Sequence, residues 1–164
     1  MKKQAVFIIA ALVAVSVIFY IWQMNTTDSK DITVFVAIEC KSVIDNYDLL
    51  DDSLKGTEYI PNDGIILKKT AIKAKENDTV LDVTKKVAAK KGIQIEYSQS
   101  VKDSYVQGIN YLYEFSCGDL SGWMYSVNGS FANVGCNDYE LKDADYVKWQ
   151  YTCDLGNDLK EVIK

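Results

Sequence analysis

The sequence of 164 residues contains no histidine and no arginine, and it has only one proline and four cysteines. Without histidine, the usual general base of Ser-His-Asp and Cys-His enzymes is missing, as is the imidazole ligand of most catalytic zinc sites. Without arginine, the bidentate fork that binds phosphate and carboxylate groups is missing too. We therefore predict that the chain is not an enzyme, with no catalytic residues, no metal site and no required cofactor.

Positive charge is also scarce. The 18 lysines face 23 acidic residues, which gives a formal net charge of −5, and residues 31–164 alone carry −7. Proteins that bind nucleic acid present a basic surface to the phosphate backbone, so this balance argues against a nucleic-acid partner. It argues equally against a domain that adheres to anionic lipid.

One long apolar run is present, at the amino terminus. It extends from Ala5 to Trp22 and is broken only by Ser16. As a helix these residues would span roughly 27 Å, close to the hydrocarbon thickness of a bilayer, about 30 Å. Residues 1–24 are therefore predicted to be a signal-anchor, a single transmembrane helix in the cell membrane. Lys2 and Lys3 place its amino end in the cytoplasm, so that the rest of the chain is extracytoplasmic.

A cleaved signal peptide is the alternative interpretation of this run, and the mature protein would then be secreted. The run ends without a small-x-small cleavage pattern, which favours the anchor. Residues 25–31 are polar and are predicted to form a short stalk. Residues 32–164 are predicted to form the outer domain.

The first half of the outer domain combines strands with one helix. Apolar and other side chains alternate from Ile32 to Cys40, which predicts a strand. The following residues 41–63 are largely polar and predict an irregular segment, after which residues 64–67 and 70–75 predict further strand. Thr79 and Asp82 resemble a capping box, and Gly92 suits the left-handed position after a helix, so a helix is predicted between them.

The second half is predicted to consist mainly of strands. Alternating apolar residues indicate them at Ile93–Tyr97, Tyr111–Phe115, Trp123–Val127 and Tyr146–Cys153. The pair Asn128-Gly129 is the strongest two-residue signal for a β-hairpin turn. Together these elements predict an α+β domain with one main helix on a mixed sheet.

Four cysteines outside the cytoplasm suggest two disulfides, with three possible connectivities. Cys40 ends the first strand and Cys153 ends the last, so their sulfurs would meet if those strands were parallel neighbours. Cys117 and Cys136 flank the hairpin and could form a local bridge. We predict Cys40–Cys153 and Cys117–Cys136, and the alternative is that all four are buried thiols.

The segment Ser121-Gly122-Trp123-Met124-Tyr125-Ser126-Val127-Asn128-Gly129 resembles the signature of a bacterial extracytoplasmic domain family similar to the carboxy-terminal domain of transcobalamin. Other segments resemble the family in the same order, namely residues 63–67, 79–83, 105–109 and 149–151. The resemblance extends over roughly residues 32–158. It implies a β-grasp-like fold, in which a mixed sheet packs on one main helix and the first and last strands are parallel neighbours.

The resemblance also implies a ligand-binding role, with cobalamin or a related corrinoid as the candidate ligand. Two features depart from the family. Ala144 stands in Asp143-Ala144-Asp145 where the family usually has glycine. Transcobalamins hold cobalamin between this small domain and a large helical barrel, for which these 164 residues have no room.

The predicted ligand-binding residues come from the hairpin segment and its turn: Ser121, Gly122, Trp123, Tyr125 and Asn128. Tyr125 and two of the three tryptophans, Trp123 and Trp149, suit a strand core, and stacking on a flat ligand is the alternative interpretation. A different class of function is an interaction domain that binds a cell-surface protein or cell-wall polymer. A third is a domain that captures substrate for a membrane transporter.

Overall fold

The computed structural model describes residues 16–17, 29–98 and 105–159. The chain divides at Lys30/Asp31 into two units, and every strand of the described residues lies in the second. The predicted anchor, residues 1–24, lies outside the described residues except for Ser16 and Val17, which are helical. Among the residues that are described, no helix has the length and apolar character needed to cross a membrane. The anchor, the stalk and the boundary of the outer domain stay predictions.

The domain is a mixed α+β structure dominated by sheet. Its strands are β1 Asp31–Glu39, β2 Ile65–Lys75, β3 Ile95–Tyr97, β4 Val106–Ile109, β5 Leu112–Tyr113, β6 Gly122–Val127, β7 Ser130–Phe131 and β8 Tyr146–Thr152. Five of them form one sheet in the order β2-β1-β8-β6-β7, and β3-β4-β5 form a second, smaller sheet. The two predicted strand segments, residues 64–67 and 70–75, belong to one continuous strand, β2.

The first and last strands are parallel neighbours, as the resemblance implied. β1 and β8 pair in parallel with Val36 opposite Val147 and Ile38 opposite Trp149, whereas β1–β2 and β6–β8 are antiparallel. The alternating apolar residues of β1 place Val34, Val36 and Ile38 in the core. β1 and β8 therefore form the centre of the larger sheet.

The main helix, α2, is Val80–Lys91, and a short helix, α1, occupies Lys41–Asp45 before a 3-10 turn at Tyr47–Leu49. The predicted capping box of α2 is present. The Thr79 hydroxyl accepts from the Asp82 amide at 3.2 Å, and the Asp82 carboxylate accepts from the Thr79 amide at 3.1 Å. Gly92 ends the helix with a φ of 67°, in the left-handed region.

The predicted strand at Tyr111–Phe115 is only partly present. β5 contains two residues, and Asn110, Tyr111 and Phe115 have positive φ values of 55°, 65° and 67°. Asn110 and Tyr111 turn the chain between β4 and β5, so Tyr111 and Phe115 are exposed rather than aligned on one strand face. The hairpin at Asn128-Gly129 is confirmed, because it joins β6 to β7 with positive φ at both residues.

Buried side chains form two clusters on the sheet. The main core lies between α2 and the sheet and includes Val36, Val83, Tyr125, Cys136 and Trp149. The second core lies at the carboxyl ends of β1 and β8 and consists of Cys40, Val43, Leu50, Ile60, Leu112, Cys117, Tyr151 and Cys153. Trp123 packs against both clusters.

The cysteines are placed differently from the prediction. All four are buried, and neither predicted bridge, Cys40–Cys153 or Cys117–Cys136, is present in the structure. Since Glu39 pairs with Gln150, Cys153 lies two residues beyond the position opposite Cys40, roughly 7 Å further along the strand. Cys117 and Cys136 belong to different cores. The register of β1 against β8 therefore separates Cys40 from Cys153, and placement in different cores separates Cys117 from Cys136.

Candidate functional site

Strand β6 carries the aromatic residues of the predicted site. Trp123 and Tyr125 lie two residues apart and therefore point to the same face of the sheet. Antiparallel pairing with β8 places Trp123 opposite Tyr151 and Tyr125 opposite Trp149. The ring centroids of Trp123 and Tyr151 are 5.2 Å apart, and those of Tyr125 and Trp149 are 5.3 Å apart. Two neighbouring strands thus build a continuous aromatic layer.

This layer borders an open concave surface, which we call the aromatic cleft. The cleft has a volume of about 200 Å³ and is lined by Tyr105, Val106, Trp123, Met124, Tyr125, Ala132, Val134, Gly135, Cys136 and Trp149. Trp149 and Tyr125 are buried at its base, Trp123 is half-buried, and Tyr105 and Val134 are exposed. The hairpin segment is therefore not packed shut.

Hydrogen bonds fix the three large aromatic side chains. The Trp123 indole donates to the Leu112 carbonyl at 2.8 Å, and the Trp149 indole donates to the Thr84 hydroxyl at 2.8 Å. The Tyr125 hydroxyl donates to the Val134 carbonyl at 2.7 Å. Because the polar atoms are already bonded to the protein, the rings offer a ligand mainly their apolar faces and edges.

The ionisable groups at the base of the cleft are neutral at physiological pH. Burial raises the pKa of the Tyr125 hydroxyl well above its usual range, and burial raises the pKa of the Cys136 thiol to about 11. Neither group carries charge near pH 7. The cleft therefore suits stacking and apolar contact with a ligand, rather than recognition by ion pairing.

Two of the predicted ligand-binding residues, Ser121 and Gly122, do not line the cleft. Ser121 is buried, and its hydroxyl donates to the Gly118 carbonyl at 2.8 Å and accepts from the Cys117 amide and the Tyr151 hydroxyl. Gly122 begins β6, and a Cβ placed there would meet its nearest neighbour, Glu114, at 3.9 Å. Gly122 is thus not required for a close backbone approach.

Asn128, the fifth predicted residue, lies in the hairpin turn. Its side chain donates to Asp145 at 2.8 Å and accepts from the Tyr146 amide at 2.9 Å, which ties the turn to the start of β8. Of the predicted set, the structure brings only Trp123 and Tyr125 to the cleft. The contribution of Val134 and Gly135 was missed, because no periodic pattern marks a loop that folds back over a strand.

One comparison with a solved structure agrees with this fold, and a family model matches part of the chain. A family model described as "Domain of unknown function (DUF4430)" matches residues 77–153, just under half of the chain. No curated protein matches the chain. The structure is similar to that of haptocorrin in complex with Cbi, with a TM-score of 0.56 and 12% sequence identity. That similarity covers 76% of this chain, which spans 25% of the haptocorrin chain, and at this identity it shows the fold alone.

A structure from Ruminococcus gnavus, provisionally described as that of a metal binding protein, is also similar. Its TM-score is 0.42 at 7% identity, with 74% of this chain and 96% of the other chain covered. At that TM-score the similarity carries no weight for either fold or ligand.

Proposed function

We propose that this chain is a membrane-tethered extracytoplasmic binding module whose aromatic cleft contacts a small ligand. The observation that carries the proposal is the cleft itself, where Trp123, Tyr125 and Trp149 are held by hydrogen bonds beside an open concavity. Ligand sites are typically concave and lined by apolar and aromatic side chains. The apolar run of residues 5–22 supports the tether.

Cobalamin or a related corrinoid is the ligand class that we propose. The motif resemblance at Ser121–Gly129 supports it, and so does the fold shared with haptocorrin. A cleft of about 200 Å³ can hold only part of such a large ring. In this proposal the domain covers one side or edge of the ligand, and a second surface covers the remainder.

The proposed role is binding without chemical conversion. No histidine is available as a general base, and the buried Tyr125 and Cys136 are held in their neutral forms. Binding would rest on stacking against fixed rings, which costs little side-chain entropy because the rings are already ordered.

The test is a titration of the purified full-length chain with cobalamin, followed by visible absorbance and tryptophan fluorescence. We expect saturable quenching of tryptophan fluorescence. Two variants, Tyr105→Ala and Val134→Asp, alter the exposed rim of the cleft. Each should weaken cobalamin binding at least about fivefold, because loss of a buried apolar contact costs roughly 1 kcal/mol of binding free energy. Phe115→Ala, an exposed aromatic outside the cleft, is the matched control and should bind like the wild type.

If neither absorbance nor fluorescence changes up to high-micromolar cobalamin, the corrinoid proposal is wrong. Binding that is lost in Phe115→Ala but kept in both rim variants would place the ligand elsewhere on the domain.

A second candidate function is protein–protein interaction at the cell surface. The observation that favours it is an exposed apolar set, Phe115, Leu120 and Leu155. The Leu155 amide donates to the Leu120 carbonyl at 3.1 Å, and the Phe115 amide donates to the carbonyl of the next residue, Ser121, at 3.0 Å. Phe115 and Leu155 have positive φ values of 67° and 47°, which is uncommon for residues with large side chains. Cross-linking of the full-length chain to its neighbours on the cell surface tests this candidate. A cell-surface protein or membrane transporter that is cross-linked to the wild type and to Tyr105→Ala, but not to Leu155→Ser, would support it.

A further inference from the structure

Cys117 and Cys153 lie against each other in the second core. Cys117 follows β5, and Cys153 is the first residue after β8. Their sulfur atoms are 3.0 Å apart, and both side chains are buried, with 0% and 8% exposure. This separation is too long for a disulfide bond, about 2.05 Å, but it leaves a gap of only about 1 Å to close.

The backbone on both sides of the sulfur pair is held in place. The Cys117 amide donates to the Ser121 hydroxyl at 3.0 Å, and the Cys153 amide donates to the Asp158 carboxylate at 2.8 Å. The Tyr151 hydroxyl donates to the Tyr113 carbonyl at 2.7 Å and to the Ser121 hydroxyl at 2.8 Å. These bonds join β8 to the loop that carries Cys117. The two cysteines are therefore positioned for each other by contacts that do not involve sulfur.

We propose that Cys117 and Cys153 form an intramolecular disulfide, and that Cys40 and Cys136 are not part of it. In the reaction two S–H bonds break and one S–S bond forms. The two electrons and two protons pass to an external disulfide, such as glutathione disulfide or the active site of a thiol–disulfide oxidoreductase, which is reduced to two thiols.

Burial determines when this exchange takes place. It raises the pKa of both thiols, so little thiolate, the form that attacks a disulfide, exists in the folded domain. The bridge therefore forms while the chain is folding, or when the end of β8 opens locally, and it is shielded once formed. The bridge links the loop that precedes β6 to the end of β8. Because Trp123 lies in β6, the bridge also holds this wall of the aromatic cleft in place.

Peptide mapping of the full-length chain, oxidised during refolding with glutathione disulfide, tests the pairing directly. Thiols are alkylated in denaturant, and the chain is cut after lysine and before aspartate. These cuts place the four cysteines in four separate peptides, residues 31–41, 103–118, 119–137 and 149–153. We expect residues 103–118 to be linked to residues 149–153, with the other two peptides alkylated. Four alkylated peptides, or a link of either peptide to another partner, would overturn the proposal.

Matched serine variants give a second measurement. Cys40→Ser, which changes another residue of the second core, should leave the linked peptide in place, whereas Cys153→Ser should free Cys117 for alkylation. The wild-type bridge should also be reduced by dithiothreitol at least about tenfold more slowly in native buffer than in denaturant, since its sulfurs are inaccessible in the folded state. Equal reduction rates would contradict a bridge at this buried position.

Discussion

At the scale of single residues, Ala144 has a backbone conformation that alanine rarely adopts. Its φ is 67°, in the left-handed region, and its amide donates to the Thr33 carbonyl at 2.9 Å. The hydrogen bond joins this turn to β1, which explains why the conformation is kept. The resembled family usually has glycine at this position, and glycine has no Cβ to clash there.

Ala144→Gly should therefore stabilise the domain. Relief of left-handed strain, about 1–2 kcal/mol, exceeds the extra entropy of an unfolded glycine, so a net gain of about 0.5–1 kcal/mol is expected. Urea denaturation followed by tryptophan fluorescence measures it. Ala71→Gly, the same change at an exposed position of β2, is the control and should lower the free energy of unfolding. A loss of stability in both variants would show that Ala144 is not strained.

At the scale of elements, the amino end of α2 depends on reciprocal hydrogen bonds. The Thr79 hydroxyl and the Asp82 carboxylate each satisfy an amide that the helix leaves without an internal partner. The Val80 amide is satisfied by the Tyr139 carbonyl at 3.0 Å, so the loop before β8 also holds this end of the helix. Local capping and tertiary contact therefore act at the same point.

Thr79→Ala should lower the free energy of unfolding by about 1 kcal/mol, because one capping hydrogen bond is lost. Thr79→Ser keeps the hydroxyl and should retain most of that stability. Chemical denaturation of both variants and the wild type measures these changes in the free energy of unfolding. Equal losses for alanine and serine would mean that the threonine methyl group, rather than the cap, is what stabilises the helix end.

At the scale of the whole molecule, Glu39 links three elements through its carboxylate. It accepts from Lys41 of α1 at 2.8 Å, from Lys148 of β8 at 3.0 Å, and from Gln150 of β8 at 3.2 Å. Burial alone would raise the pKa of Glu39, but the hydrogen bonds from Lys41 and Lys148 outweigh it and hold the pKa below its ordinary value of 4.5.

This lowered pKa predicts an acid-dependent loss of stability. Because the folded-state pKa lies below the unfolded value, ionised Glu39 stabilises the fold above about pH 4.5, and that stabilisation is lost as the pH falls through the folded-state pKa. Glu39→Gln should therefore be less stable than wild type at pH 7, and the difference should shrink in acid. Thermal unfolding between pH 3 and pH 7 measures it, with the exposed Glu58→Gln as the control for a simple change in net charge. A difference that stays constant with pH would rule out this linkage.

The sequence by itself determined the elements whose signals are local. Alternation in Ile32–Cys40 and Tyr146–Cys153, the capping box before α2 and the turn at Asn128-Gly129 each depend on residues only a few positions apart, and the structure contains all four. The parallel pairing of the first and last strands followed from the family resemblance rather than from any local pattern.

Only the tertiary structure decided which distant residues meet. Cys153 lies beside Cys117 rather than Cys40 because the register of β1 against β8 carries it past the end of the first strand. The cleft combines Trp123 of β6 with Val134 from a loop that folds back, while Ser121, chosen from the same motif, is buried beneath Tyr151. Neighbours along the chain share a pattern, but a site is assembled by register and loop closure, and these depend on the packing of the whole domain.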